Sequence, residues 1–266
     1  MRMMMFGSAF GVAAVTCGIV MAQAPAPEAA KPVAPKPERP KGYLPDGAVN
    51  ASAFLPPVPA AGSPAEAADV AAYKAALNQV DTPRWKQAAA DDDFSPPAVL
   101  KHYQCALGFR IDPDKAPALT RILSRTGMDA NTTVNKAKAH FKRQRPFHGD
   151  ATTPLCLDIP ADVRAKASTA YPSGHSVGGF LWGLVLSELA PERTDAVMAR
   201  ARDLSHSRLV CRLHYPSDLE AGHMTAAALY ARLNAEPEFR ADVDKARAEV
   251  AAARTAAVKP EGCPTA

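Results

Sequence analysis

The chain has few aromatic residues and no run of strictly alternating polar and apolar residues. Phe, Trp and Tyr make up 6% of its 266 residues, whereas hydrophobic residues as a whole make up 47% and alanine is frequent throughout. Alanine-rich segments with few β-branched residues favour helix over sheet. The chain is also long enough to bury a sizeable core. We therefore predict an all-α fold in a compact multi-helix domain.

An excess of charge of one sign is also missing. Lys and Arg number 31 against 27 Asp and Glu, a net charge of +4 at pH 7, without the dense basic stripe that nucleic-acid binding requires. No two cysteines have the CxxC spacing that is typical of zinc sites. The sequence thus predicts no nucleic-acid partner and no metal site.

Long apolar runs are confined to the N-terminus. Residues 1–22 contain one early arginine, an apolar stretch and then small residues suited to cleavage around Ala22 or Ala24. We predict a signal peptide over residues 1–22 and export to the periplasm. The alternative is a membrane anchor, since the stretch approaches the ~20 residues that span a bilayer. No later run is long enough, so we expect no stable membrane insertion of the mature domain.

Prolines are concentrated after this segment. Residues 23–60 hold ten of the 25 prolines, a composition that predicts a Pro/Ala-rich linker, whose last part, FLPPVPAAGS, can lie along the folded surface. Residues 61–258 are predicted to form the helical domain, and residues 259–266 a C-terminal tail. Helical periodicity and capping residues predict helices over residues 64–80, 97–108, 114–126, 129–143, 160–169, 174–190, 191–205, 216–234 and 236–256.

Export would place four cysteines of the mature chain in an oxidising compartment. They can form up to two disulfides, and four cysteines allow three pairings among which the sequence does not choose. The residues are Cys105, Cys156, Cys211 and Cys263.

The segment KAHFKRQRP begins at Lys138 and carries the first group of chemically interesting residues. Because seven positions of a helix return to nearly the same angle, we predict that Lys138 and Arg145 share one helical face and converge on one anion. The proline after Arg145 is predicted to end this helix. The alternative is a solvated basic helix, because further basic residues here are of the surface type: Lys136, Lys142 and Arg143.

A second group is AYPSGHS, residues 170–176. A helix that begins at this Pro-Ser-Gly turn would direct its free N–H groups and positive dipole end at an anion, and Gly174 would let that anion approach the backbone. His175 would then stand beside the anion. Taken alone, the pattern is equally typical of an ordinary turn and helix cap.

The third group lies in SRLVCRLHYPSD, residues 207–218. Pro216 fits the first turn of a helix, which places Asp218 near the helix start and His214 just before it. The carboxylate can accept the Nδ1 hydrogen of His214, which leaves Nε2 as a nucleophile. Alternatively, Asp218 only caps its helix.

Together the three groups, Lys-x6-Arg-Pro, Pro-Ser-Gly-His and Ser-Arg-x5-His-x3-Asp, follow one another with 25 and 31 intervening residues. This pattern closely resembles the signature of the type 2 phosphatidic acid phosphatase (PAP2) superfamily, and within it the exported bacterial class A non-specific acid phosphatases. The resemblance covers roughly residues 52–240 and includes LPPVPAAGS and KAPALTRIL. It implies the compact helical fold of PAP2 enzymes, acid phosphatases and vanadium haloperoxidases, often as a homo-oligomer. Ser176 and Tyr215 depart from the usual Thr and Trp and can alter the leaving-group pocket.

The resemblance also implies a mechanism. His214 would attack phosphorus to form a phosphohistidine while Asp218 holds its ring, and His175 would protonate the leaving alkoxide and then activate water. No metal or cofactor is implied, because fixed cations stabilise the charge. Phosphomonoesters such as nucleotides, sugar phosphates and aryl phosphates would be substrates, with inorganic phosphate as product and inhibitor and alcohols as further acceptors. The phosphate would be bound by Lys138, Arg145, Ser173, Gly174 and Arg208.

Three alternative functions compete with this interpretation: a vanadate-dependent haloperoxidase, a lipid phosphatase of the same superfamily, and a phosphate-binding protein without catalysis. Haloperoxidases of this type are usually much longer, and all eight motif residues of the phosphatase are present.

Residues without a motif position are predicted to serve packing or to lie on the surface, and among them His148 is the candidate for a pocket residue. They are His102, His140, His148, Trp182, His206 and His223.

Overall fold

The computed structural model describes residues 40–166 and 169–263. Within them the chain forms nine α-helices, four short 3-10 turns and one isolated β-bridge, which confirms the all-α prediction. The predicted signal peptide and residues 23–39 of the predicted linker lie outside the described residues. The helices are α1 (Pro64–Ala75), α2 (Pro83–Ala90), α3 (Pro96–Leu107), α4 (Pro117–Phe141), α5 (Ala161–Ala165), α6 (Gly174–Leu189), α7 (Thr194–Val210), α8 (Pro216–Leu233) and α9 (Pro237–Ala256).

Local sequence signals explain where most helices begin. Proline stands in the first turn of α1, α2, α3, α4, α8 and α9, where its missing N–H would have had no helical partner. Ser63 and Thr82 cap α1 and α2 by accepting the backbone N–H of Glu66 and Trp85. The predicted bounds of α6, α8 and α9 are therefore confirmed to within one residue at each end.

Helix α4 differs from the prediction. The two segments expected at residues 114–126 and 129–143 form one helix of 25 residues, which ends at Phe141 with Lys142 in the left-handed conformation, φ 52°. Arg145 lies in the following loop, so the prediction that Lys138 and Arg145 share one helical face is wrong. On a continued helix Arg143 and Arg145 would point about 200° apart. The early end of α4 lets both side chains turn inward.

Helix α6 lies at the centre of the domain, packed against α7 and α8, while α4 packs against α9 and α6. Most of its apolar residues are buried, as its nearly uninterrupted apolar sequence requires, while Phe180 and Leu184 are half-buried. Gly222 of α8 allows close approach to the start of α6, because a Cβ there would lie 2.6 Å from Cβ of Ser176. The large apolar side chains that are fully buried are Leu107, Leu119, Ile122, Leu123, Leu181, Leu186, Leu204, Leu213, Leu229 and Phe239.

Residues 40–60, assigned to the linker from their prolines, pack against the helices. Tyr43 is 8% exposed; its N–H donates to Asp129 at 2.9 Å and its hydroxyl to Asp242 at 2.8 Å. Val49 and Leu55 are also buried. The packed part of the chain therefore includes these residues, because scattered apolar side chains can fill grooves between helices without helical periodicity of their own.

The structure resolves the disulfide pairing that the sequence left open. Cys105 of α3 pairs with Cys263, and Cys156 pairs with Cys211 at the end of α7. The first bond ties the predicted C-terminal tail to α3. No helix among the described residues is long and apolar enough to cross a bilayer.

Candidate active site

The three sequence motifs meet where the end of α4, the start of α6 and the loop between α7 and α8 come together. Two backbone hydrogen bonds join them: the N–H of Ala170 donates to the carbonyl of Arg143 at 2.8 Å, and the N–H of Ser173 donates to that of Asp218 at 2.9 Å. The motifs are thus brought together by the backbone itself, and the close contact at Gly222 holds α8 against the Pro-Ser-Gly turn.

His214 and Asp218 form a buried pair, 1% and 0% exposed. Nδ1 of His214 lies 3.2 Å from Oδ2 of Asp218, and the same oxygen accepts the backbone N–H of Tyr215 at 2.9 Å. Asp218 therefore orients the imidazole and caps α8 at once. The structure thus contains both contacts that the sequence allowed for this residue.

The far side of the His214 ring faces a guanidinium. Nη1 of Arg145 lies 2.8 Å from Nε2 of His214 and 3.1 Å from the carbonyl of Leu213. Because a guanidinium is only a donor, Nε2 must accept, which places the ring hydrogen on Nδ1. His214 is thus neutral and presents its lone pair toward the cationic cluster.

Positive charge accumulates around that lone pair. Burial and then Arg145 lower the pKa of Lys138 to about 8, and burial and then Arg208 lower the pKa of Arg145 to about 10. Burial, with the charges of Arg145, Lys138 and Arg208, holds the pKa of His214 well below its ordinary value. Excess buried cations of this kind form a site that favours an anion.

A second ion pair supports Asp218 from behind. Nη1 of Arg143 donates to Oδ1 of Asp218 at 2.6 Å, and Nη2 donates to Asp69 of α1 at 2.7 Å. Asp69 also accepts the N–H and hydroxyl of Ser217. The ring of Tyr215 covers the guanidinium, 4.4 Å from its centre. Burial raises the pKa of Asp218, and the positive charge of Arg143 opposes that rise.

His175 stands at the more open side of the site. Its Nε2 lies 3.1 Å from the carbonyl oxygen of Asp92 and 3.2 Å from Oδ1 of the same residue. This Oδ1 also accepts a hydrogen bond from Nη1 of Arg208 at 2.6 Å. The ring of Phe94 packs against the imidazole with 4.4 Å between centroids. Burial, followed by the charge of Arg208, lowers the pKa of His175, whereas Asp92 opposes the change.

A cavity of about 440 Å³ opens directly from His175. Its walls are mainly apolar, and no Lys, Arg, Asp or Glu lines it. Trp182, predicted only to pack within a helix, forms part of this wall, and its Nε1 donates to Thr126 at 3.1 Å. The cavity is lined by Phe94, Pro96, Leu123, Ser124, Gly127, Ala130, Asn131, Val134, Gly174, His175, Gly178 and Trp182.

Ser173 and Gly174 lie at the start of α6 as predicted. Ser173 is the N-cap residue, with its hydroxyl 3.4 Å from the N–H of Ser176. Ser176 itself is fully buried between α6 and α8, and Tyr215 packs on Arg143. Neither of these two departures from the family pattern lines the cavity beside His175.

The remaining histidines lie outside the cluster. His140, His148 and His206 are exposed, and His148 lines none of the cavities found in the described residues. His223 bonds Ser205 at 2.7 Å, and His102 lies 2.8 Å from the carbonyl of Asp93. In the part of the chain that is described, no group of three or more His, Cys, Asp or Glu side chains is arranged to hold a metal ion.

Sequence reasoning missed Asp69, Asp92 and Arg143. Arg143 was grouped with surface residues, although its side chain is 9% exposed. Asp69 is 3% exposed, but the sequence contained little signal for it, because the alanine-rich helix α1 holds a second carboxylate, Glu66, in its first turn. Asp92 is the middle residue of an ordinary acidic run, Asp-Asp-Asp, that precedes α3 and gives no such signal.

Comparison with known proteins agrees with this geometry. Residues 119–235 match the model of the PAP2 superfamily. The chain is 33% identical over 208 residues to an acid phosphatase of Zymomonas mobilis, with 78% of each chain covered. It is 35% identical to a non-specific acid phosphatase of Providencia stuartii, over 77% of this chain and 82% of that one, and 34% identical to one of Salmonella typhimurium, over 76% and 80%. The chain therefore belongs to the PAP2 superfamily, among its acid phosphatases.

Proposed function

We propose that this phosphatase hydrolyses phosphomonoesters through a phosphohistidine on His214. The observation that carries the proposal is the buried arrangement of this residue: Nδ1 is directed at Asp218 and Nε2 at the cationic cluster. A neutral imidazole whose lone pair points into an anion site is suited to attack phosphorus in line. Asp218 would stabilise the positive charge that the ring acquires.

Binding of the phosphoryl group falls to the cations around Nε2. Lys138, Arg145 and Arg208 would contact its equatorial oxygens, together with Ser173 and the N–H of Gly174 at the helix start. Arg145 would exchange its contact with Nε2 of His214 for one with phosphate, because the lone pair of Nε2 cannot accept from the guanidinium and attack phosphorus at the same time. Fixed donors aimed at the charge of the transition state are a major source of catalysis.

His175 is proposed as the acid that protonates the leaving oxygen and then as the base that activates water. Its position at the mouth of the apolar cavity supports this role, because the group attached to the leaving oxygen could lie there. An alcohol that entered in place of water would accept the phosphoryl group instead, which would give phosphate transfer.

Nucleotides, sugar phosphates and aryl phosphates are the proposed substrates, and inorganic phosphate would inhibit as the product. We also propose export to the periplasm and a homo-oligomeric state. A purely phosphate-binding protein would show no such hydrolysis, and a haloperoxidase would oxidise halide with peroxide once vanadate is added.

The test is hydrolysis of p-nitrophenyl phosphate by the purified protein from about pH 4 to about pH 9, with and without EDTA, combined with rapid quenching in alkali to retain an alkali-stable phosphohistidine. We expect a bell-shaped profile that EDTA leaves unchanged, with label from the substrate on His214. Hydrolysis that EDTA abolishes, or a flat pH profile, would contradict the proposed roles.

A further inference from the structure

Asp92 is a carboxylate within the site for which the proposed reaction has no use. Its Oδ1 accepts a hydrogen bond from Nη1 of Arg208 at 2.6 Å and lies 3.2 Å from Nε2 of His175. These are the two groups between which the phosphoryl oxygens and the leaving oxygen would lie. The carboxylate is therefore adjacent to the position of the bound phosphate.

One oxygen of this carboxylate has capacity for a ligand. Oδ2 of Asp92 makes no hydrogen bond within the described part of the chain, and 38% of the side chain is exposed. An ionised carboxylate can only accept hydrogen bonds. A phosphate oxygen placed against it must therefore carry a proton, because otherwise two negatively charged oxygens would face each other.

The charges around Asp92 keep it ionised. The groups that face it are His175 from α6, Arg208 from α7, Arg145 from the loop after α4, and its neighbour Asp93. The hydrogen bond from His175, with the charge of Arg208, holds the pKa of Asp92 far below its ordinary value. Asp92 cannot take up the missing proton in the acid range, so the phosphate must bring it.

We propose that Asp92 makes the site selective for anions that carry a proton on a phosphoryl oxygen, which for a phosphomonoester means its monoanion. This inference rests on the proposed function, since it takes Arg208 and His175 as groups that handle the phosphoryl group. A phosphomonoester loses its second proton with a pKa of about 6. Selection of the monoanion is thus selection of the substrate form that prevails in acid.

Sulfate distinguishes this proposal from simple anion binding, because it has the shape of phosphate but no proton in this pH range. A buried site built to bond a substrate hydroxyl rejects an analogue that lacks it by about 10⁴-fold or more. Asp92 is partly exposed, so we expect a smaller preference for phosphate over sulfate, on the order of 10²-fold at about pH 5.

The experiment is calorimetric titration of the full chain with inorganic phosphate and with sulfate, from about pH 5 to about pH 8. It compares the unchanged protein with Asp92→Asn, Asp92→Ala and the control Asp93→Asn, whose carboxylate accepts the N–H of Ser95 at 2.8 Å. Circular dichroism verifies that each variant is folded. The ratio of the two dissociation constants is decisive, because protonation of His175 affects both anions alike.

We expect the unchanged protein and Asp93→Asn to prefer phosphate about 10²-fold from about pH 5 to about pH 8, because the phosphate dianion that prevails at the higher pH still carries one proton, and the Asp92 variants to bind both anions within about threefold. Equal binding of the two anions by the unchanged protein would overturn the proposal, whatever the folding of the variants. So would an undiminished ratio in a folded Asp92 variant. A protein that binds neither anion and hydrolyses no phosphomonoester would instead refute the proposed function.

Discussion

The two histidines of the site are held in opposite ways. His214 is 1% exposed and lies within charged and polar partners that extend through Asp218 and Arg143 to Asp69 of α1. The side chain of His175 is 31% exposed and lies between Asp92 and the ring of Phe94, at the mouth of an apolar cavity.

The difference follows from the work proposed for each ring. A nucleophile must keep one tautomer and one direction, which a buried network of satisfied hydrogen bonds provides. An acid that later becomes a base must reach the leaving group and then water, which requires an open side. Substitutions can therefore change the surroundings of one histidine while leaving those of the other as they are.

Removal of each histidine should give the largest effects and separate the two roles. We expect His214→Ala to lose activity by about 10⁴-fold or more on every substrate, because the nucleophile itself is lost. His175→Ala should lose about 10²-fold to 10⁴-fold on alkyl phosphates and less on p-nitrophenyl phosphate, whose leaving group departs without a proton. Values of kcat/KM on the two substrate types measure this, because they exclude the later hydrolysis of the phosphohistidine, in which His175 is proposed as base. An equal loss for both substrates in His175→Ala would contradict the role of acid.

Weakening the support behind Asp218 should lower kcat without removing any group that touches the substrate. We expect Asp69→Asn and Arg143→Met to lower kcat by about tenfold to 10²-fold with a smaller change in KM. Arg143→Lys should restore part of the loss. A matched control is Arg121→Lys, since Arg121 pairs with Asp242 at 2.8 Å in a contact outside the site.

The same variants should move the acid limb of the pH profile. Burial raises the pKa of Asp218 and Arg143 lowers it, so loss of Arg143 should raise that pKa further. Asp218 would then become protonated at a higher pH and release His214, which shifts the acid limb of kcat toward neutral pH. Profiles of kcat against pH for Arg143→Met and Arg121→Lys test the sign. A shift toward lower pH would mean that Arg143 does not act through Asp218.

Removal of a disulfide should have the smallest effect on activity. Cys211 precedes the His214 loop and packs with Leu213, so the double substitution of Cys156 and Cys211 by serine should reduce kcat severalfold as well as stability. The corresponding change of Cys105 and Cys263 should reduce stability alone. Each loss should be about 2–4 kcal/mol by thermal or urea unfolding. An equal effect of both pairs on kcat would show that the Cys156–Cys211 bond gives the site no support of its own.

Much of this protein is determined by its sequence. Prolines in first turns predict α8 and α9, and the Pro-Ser-Gly turn with the apolar run after it predicts α6, because these are local interactions within one helix. The three motifs likewise identify the superfamily from residues at fixed spacing. Spacing misled where a helix was assumed to continue, since the left-handed residue Lys142 ends α4 before Arg145. It also missed α2 and placed the end of α7 five residues too early, at 205 instead of Val210.

The tertiary structure decided which distant residues serve the site. Asp69 meets Ser217 across 148 positions and Arg143 across 74, and Asp92 meets Arg208 across 116. No periodicity encodes such pairs, because each depends on how whole helices pack. Sequence therefore supplied the groups proposed for the chemistry, while packing supplied the partners that set their charge, their orientation and, as we propose, the protonation state of the substrate.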